Sequence, residues 1–185
     1  VDAEVVPHAA AIDAAHAYPA ALMRKLADLG FFAMRYPADA GGLALDLGTF
    51  CLALAEIARG SMSLAGCAAM QALMGTKFLH LLGGADIVER LFRPALAGEK
   101  IGAICMTEPD AGSDLDGIAT TARQVPGGYV LSGRKTWVTA APVADFFTVF
   151  ARTGKTLSTF VIDARTDGVR VGRPIGKMCL QSSPT

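Results

Sequence analysis

Apolar positions recur at helical spacing through the first hundred residues and then give way to short β-rich runs. From Pro19 to Leu29 the residues Leu22, Met23, Leu26 and Leu29 share one helix face. Pro19 suits a first turn and Gly30 a C-terminal cap. The loop Tyr36-Pro37-Ala38-Asp39-Ala40-Gly41-Gly42 is built of turn formers. Asp46 is placed to cap the next helix, which carries Leu47, Phe50, Leu54, Ile57 and Ala58 and stops near Gly60. A third helix, Ser63 to Leu82, is almost wholly small and apolar, which predicts a central place in a bundle. Gly83-Gly84 breaks it, and a fourth runs from about Asp86 towards Ala97 with Pro94 kinking or restarting it.

From Ile101 the period shortens. The runs 101–107, 118–125, 129–131, 135–139, 146–151, 159–162 and 169–171 alternate with Gly, Pro and Asp turns, and Gly127-Gly128 is a hairpin signal. The pattern predicts an α+β chain: an N-terminal α-helical bundle over 1–99, then a small antiparallel β-barrel or sandwich over 100–185.

Composition sharpens this picture. Of 185 residues, 52% are hydrophobic and 18% charged, which is rich for an ordinary soluble monomer. A membrane span is excluded, because the longest uncharged stretch of the helical half, Gly60 to Thr76, holds two serines, a glutamine and three glycines. It also falls short of the roughly 20 apolar residues a spanning helix needs. Burial against other protein is the better account. With 17 basic and 17 acidic residues, scattered, there is no basic stripe for nucleic acid. Cys51, Cys67, Cys105 and Cys179 lie far apart and read as buried small residues of a reducing compartment. His8, His16 and His80 have no ligand grouping, so no metal is expected. The opening Val1-Asp2-Ala3-Glu4 lacks a signal peptide, which makes the cytoplasm the default location.

The chemistry is concentrated in Cys105-Met106-Thr107-Glu108-Pro109-Asp110-Ala111-Gly112-Ser113-Asp114. A strand ends at a threonine, proline blocks its continuation, and a turn of small residues leaves N–H groups and hydroxyls facing outward. Such groups suit an anionic or carbonyl-rich ligand; the residues alone equally allow an ordinary β-turn with an Asp/Ser cap.

This segment resembles the flavin-binding signature of acyl-CoA dehydrogenases, a hydrophobic strand running into T-E-P-x-A-G-S-D. Gly133-Arg134-Lys135-Thr136-Trp137-Val138-Thr139 is similar to that family's G-x-K-x-W-[IV]-[TS] block. Lys177-Met178-Cys179-Leu180-Gln181-Ser182-Ser183-Pro184-Thr185 resembles its K-M-G-x-R-x-S-x-T turn. In the helical half, Leu29-Gly30-Phe31-Phe32 with Tyr36-Pro37 and Gly41-Gly42 looks like its L-G loop before a G-G turn. The likeness follows the family's order along the whole chain.

The resemblance implies FAD as cofactor, bound by Ile104, Cys105, Met106, Thr107, Gly112, Ser113, Trp137, Val138 and Thr139. Ile104 to Thr107 would line the isoalloxazine ring, with main-chain groups near Met106 and the Thr107 hydroxyl at its pyrimidine end. Trp137 would pack on the ring face away from substrate, and Thr139 would lie beside N5. Ser113 would serve cofactor, substrate or both. The implied reaction is oxidation of an acyl-CoA or related thioester to the 2,3-enoyl product. Electrons would pass to an electron-transfer flavoprotein, in a homotetramer or homodimer. The family's glutamate base lies on a C-terminal helical domain, which the resemblance implies is absent here, so no catalytic residue is assigned. Neither Glu56 nor Glu89 matches a base motif.

Some positions depart from the pattern. Cys179 stands for glycine, Gln181 for a basic residue, Ser182 for a small glycine, and Ala140-Ala141-Pro142 follows the second block. Two other readings stay open: a non-catalytic partner subunit of a hetero-oligomeric complex, and an oxidase or monooxygenase on the same fold.

Overall fold

The structure is a computed structural model that describes residues 1–185. Its first part is helical: α1 (Ala9–Ala14), α2 (Ala20–Asp28), α3 (Leu47–Gly60), α4 (Met62–Ala69), α5 (Lys77–Leu82), α6 (Ala85–Ile87) and α7 (Arg93–Leu96). Pro19 precedes α2 as its N-cap, and Gly30 beyond its end takes φ +76°, the left-handed conformation that a side chain disfavours. Asp46 caps α3: its carboxylate accepts from the Thr49 N–H at 3.1 Å and the Thr49 hydroxyl at 2.6 Å. Asp46→Ala is expected to cost about 1 kcal/mol, measured as a fall in the urea midpoint. An unchanged midpoint would mean that the cap is dispensable.

The long apolar helix is divided. After α4 the chain makes a π-helical turn, Met70–Gly75, before resuming as α5. A second π-helical turn, Val88–Phe92, precedes α7, where Pro94 sits in the first turn. Proline supplies no N–H for the helical ladder, so the helix restarts there, as its position predicts. α4 is the centre of the bundle. Leu64, Ala65, Cys67 and Ala68 are buried among Met23, Phe31, Phe32, Phe50 and Ile57.

The second part is a five-stranded sheet: β1 (Gly102–Cys105), β2 (Thr121–Val125), β3 (Gly128–Ser132), β4 (Phe146–Thr153) and β5 (Thr156–Asp163). The Gly127 turn joins β2 and β3 as a hairpin, and Gly127 takes φ +85°. β4 and β5 form a second, longer hairpin. The α+β organisation is the expected one, but the sheet is mixed. β1 runs parallel to β4 from Gly102↔Phe146 to Cys105↔Val149, and β2 meets β4 in parallel at Thr121↔Arg152. Local turn signals report only hairpin neighbours; the paired residues of β1 and β4 are 44 positions apart, as in Gly102↔Phe146, which periodicity does not see. The runs at 135–139 and 169–171 are not strands.

The two parts share a core. Phe146, at the start of β4, packs with Tyr36, Leu79, Leu91 and Phe92 of the helical part. Gln71 ties the junction with its whole amide: Nε2 donates to Ala95 O at 3.0 Å and Lys100 O at 2.9 Å, and Oε1 accepts from the Gly102 N–H at 3.2 Å. Gly75 and Gly102 let the backbones meet, since a Cβ on Gly102 would lie 2.6 Å from the Gly75 carbonyl oxygen. Two cysteines are not where composition put them: Cys67 and Cys105 are buried, whereas Cys51 and Cys179 are exposed. No helix is long and apolar enough to cross a membrane.

Candidate cofactor site

β1 ends at Cys105, and the chain leaves the sheet through Met106 and Thr107 into a tight turn. There Glu108 N–H donates to Ala111 O at 2.8 Å and Ala111 N–H returns to Glu108 O at 3.3 Å. Pro109 and Asp110 form the exposed tip, and Gly112 and Ser113 follow it, also exposed. The second motif comes alongside as an extended segment, with the Thr136 N–H donating to Thr107 O at 2.9 Å. The third motif closes from the far side, where Ala140 N–H donates to Pro184 O at 2.7 Å. That third turn is itself anchored on the helices: the Ser182 hydroxyl donates to Ile12 O, and Cys67 Sγ lies 3.5 Å from Ser182 O.

Between these anchors Trp137 has φ +58°, and the residue is 59% exposed. A left-handed non-glycine residue costs about 1–3 kcal/mol and persists only where its surroundings hold it. Here a large apolar ring is held outward, at the edge of a cavity of about 550 Å³. The cavity floor is the sheet face of Cys105, Phe147, Val149 and Ile162, with Val138 at its side.

The structure separates the residues of β1 by face. Cys105 faces this cavity with Val138, and burial pushes its thiol pKa up to about 12. Ile104 and Met106 pack on the opposite side with Ala111, Ile118 and Phe150. Only main-chain groups of Ile104 and Met106 are available to the Trp137 side. Along the joined loops, the N–H groups of Met106, Thr107, Trp137, Val138 and Thr139 donate to no acceptor in the chain, nor do those of Gly112 and Ser113.

Sequence reasoning passed over the pair that holds the loops together. Lys135 Nζ donates to Glu108 Oε1 at 2.8 Å and to Met106 O at 2.9 Å. The two side chains are only 9% and 6% exposed. Glu108 also accepts from the Ala119 N–H at 2.8 Å, the Thr120 N–H at 3.0 Å and the Thr120 hydroxyl. Burial alone would raise the Glu108 pKa; Lys135, the Thr120 hydroxyl and the two amides outweigh it and bring the value down to about 2. Asp110 and Asp114 share the first motif with Glu108, and Arg134 precedes Lys135 in the second, so nothing local marks out this pair, whose members are 27 residues apart.

A helical bundle sealed onto a small mixed sheet, with unpaired amides along two cross-linked loops and an exposed indole between them, is an arrangement that suits a flat, acceptor-rich cofactor. The N-terminal domain model of the acyl-CoA dehydrogenases matches residues 1–99, and the middle-domain model matches residues 103–185. Benzylmalonyl-CoA dehydrogenase of Aromatoleum aromaticum is 64% identical over 100% of this chain and 49% of its own length. A 3-(aryl)acrylate reductase of Clostridium sporogenes is 38% identical over 98% of this chain and 50% of its own. The glutaryl-coenzyme A dehydrogenase glutaryl-CoA complex superposes with a TM-score of 0.92 at 30% identity, covering 99% of this chain and 48% of that one. An acyl-CoA dehydrogenase complexed with FAD from Bacillus anthracis gives 0.87 at 28% identity, over 98% and 32%.

The chain belongs to the acyl-CoA dehydrogenase family. It spans about half the length of the curated relatives it matches. The family's cofactor is FAD, and the residues present fit it. An isoalloxazine edge is rich in carbonyl and ring-nitrogen acceptors, which is what unpaired amides at Met106, Thr107 and Thr139 require. Its flat apolar faces match the free indole of Trp137.

Proposed function

We propose that this chain supplies two walls of the FAD site of an enzyme that oxidises an acyl-CoA to the 2,3-enoyl product. The division into a helical unit, 1–99, and a sheet unit, 100–185, follows that role. The observation that carries the reading is the set of unpaired amides on the two joined loops, together with an exposed Trp137 whose backbone is held left-handed. When bound, FAD supplies the hydride acceptor for the substrate's β-carbon. The chain's own residues bind and orient it. Main-chain groups from Ile104 to Thr107 and the Thr107 hydroxyl take the pyrimidine edge, where preorganised donors favour the extra negative charge of the reduced ring. Cys105 and Val138 pack beside it, Trp137 covers one face and excludes water, and Thr139 lies near N5. Gly112 and Ser113 offer amides and a hydroxyl to phosphate or to substrate. The base that takes the α-proton is not among these residues.

The substrate is an acyl-CoA carrying an aryl group. The names of the two relatives, benzylmalonyl-CoA dehydrogenase and 3-(aryl)acrylate reductase, support that choice. An electron-transfer flavoprotein takes the electrons, and the protein acts in the cytoplasm as a homotetramer or homodimer. Exposed Leu52, Met62, Leu81 and Leu82 on the helices support further burial in such an assembly. The test is purification of the full-length protein that carries this sequence. Yellow protein that is bleached anaerobically by an arylpropionyl-CoA or benzylmalonyl-CoA, and not by butyryl-CoA, is the expected result. A colourless protein that co-purifies with a longer relative would overturn it in favour of a non-catalytic partner subunit. Rapid reoxidation by oxygen would point instead to oxidase or monooxygenase chemistry.

A further inference from the structure

Lys135 lines the cavity, and its ammonium makes two hydrogen bonds, one to the Glu108 carboxylate and one to a peptide group of the first motif. Its ammonium donates to Met106 O at 2.9 Å, and Met106 C=O shares a peptide unit with the Thr107 N–H. The chain has no cis peptide bonds, and in a trans peptide the C=O and N–H point in opposite directions. A carbonyl turned inward to Lys135 therefore turns the Thr107 N–H outward, where it has no acceptor in the chain. A cation on the oxygen of an amide draws electron density from its nitrogen and strengthens the N–H as a donor, and low surrounding polarity enlarges the effect. Both conditions hold, because Lys135 is nearly buried and Glu108 fixes its position at 2.8 Å.

We infer that Lys135 is a tuning and positioning residue for the flavin, acting through the Met106–Thr107 peptide to make the Thr107 N–H a stronger donor to the reduced ring. Glu108 sets the strength of that influence, because its carboxylate offsets part of the Lys135 charge. The inference rests on the FAD-site reading above and adds a sign to it. The neutral isostere Lys135→Met weakens binding of reduced flavin more than oxidised flavin. Glu108→Gln leaves the ammonium less compensated and favours the reduced form. A purely structural pair would shift both variants the same way.

The experiment is the flavin midpoint potential, with FAD dissociation constants, for the full-length holoenzyme and three variants. For Lys135→Met, reduced flavin is expected to lose about tenfold in affinity relative to oxidised flavin, equivalent to about 30 mV lower for a two-electron couple. Glu108→Gln is expected to move the potential upward, and Lys135→Arg, which keeps the charge, to stay near wild type. If Lys135→Met or Glu108→Gln does not fold, Lys135→Arg still decides. A Lys135→Arg holoenzyme whose potential falls by that amount overturns the inference, as does a Lys135→Met holoenzyme at the wild-type potential, or equal falls in Lys135→Met and Glu108→Gln. A wild-type protein that holds no flavin would refute the FAD-site reading itself, an outcome distinct from any of these.

Discussion

Glu108→Ala is expected to destabilise the protein by about 3–5 kcal/mol, the range for removing one partner of a buried ion pair. The substitution does not merely delete an attraction. It leaves the Lys135 ammonium, the Ala119 and Thr120 amides and the Thr120 hydroxyl without the carboxylate that satisfies all four. Each buried donor without an acceptor carries its own desolvation cost. Replacing both partners, Glu108→Leu with Lys135→Met, is expected to cost less than the sum of the two single changes, because no charge is then stranded, while the Ala119 and Thr120 donors still lose their acceptor. Urea unfolding of the three variants is the measurement. A double variant as unstable as the sum of the singles would mean that the pair contributes by packing and not by charge.

The same carboxylate predicts the direction of acid sensitivity. Its folded pKa is about 2, below its ordinary value of 4.5. A depressed carboxylate contributes stability that is fully present above the unfolded value and is lost as pH falls through the folded one. The loss therefore runs from about pH 4.5 down to about pH 2. It amounts to about 3 kcal/mol at 1.36 kcal/mol per pKa unit. In Glu108→Ala the slope of stability against pH in that window is expected to flatten.

How far the sequence carried the fold depends on the range of the interaction concerned. The cap at Asp46, the turn at Gly30, the restart at Pro94 and the hairpin at Gly127 each follow from a few neighbouring residues, and all are present. The parallel pairing of β1 with β4 joins residues 44 positions apart, as in Gly102↔Phe146, and left no periodic trace. The segment around Trp137 has strand-like composition yet is no strand. Its amides are withheld from the sheet, and Trp137 itself is left-handed, a conformation that no propensity favours for a bulky residue.

The candidate site divides in the same way. The motif residues were legible because their types and order are unusual. Their division between faces was legible in principle from the two-residue period of a strand, which puts Cys105 opposite Ile104 and Met106. The Glu108–Lys135 pair was not, because an acid and a base in separate motifs look like surface charges until the fold buries them together.

Phe146→Ala is expected to cost about 3–5 kcal/mol, the range for truncating a buried aromatic ring. Phe146 is 1% exposed and belongs to the strand, yet its ring lies among Leu79, Leu91, Phe92 and Leu96 of the helical part. It also fills the space that Gly102 leaves open: a Cβ there would sit 2.5 Å from the ring. Loss of the ring opens a cavity at the seam and not inside either part, and Gln71 with its three hydrogen bonds cannot close it by moving. Hydrogen exchange read segment by segment is the measurement. Amides of 79–96 and of 146–152 are expected to lose protection together and by the same free energy, because one cooperative unit contains both. Protection lost only along β4, with the helices unchanged, would show that the two parts unfold independently and that Phe146 serves the sheet alone.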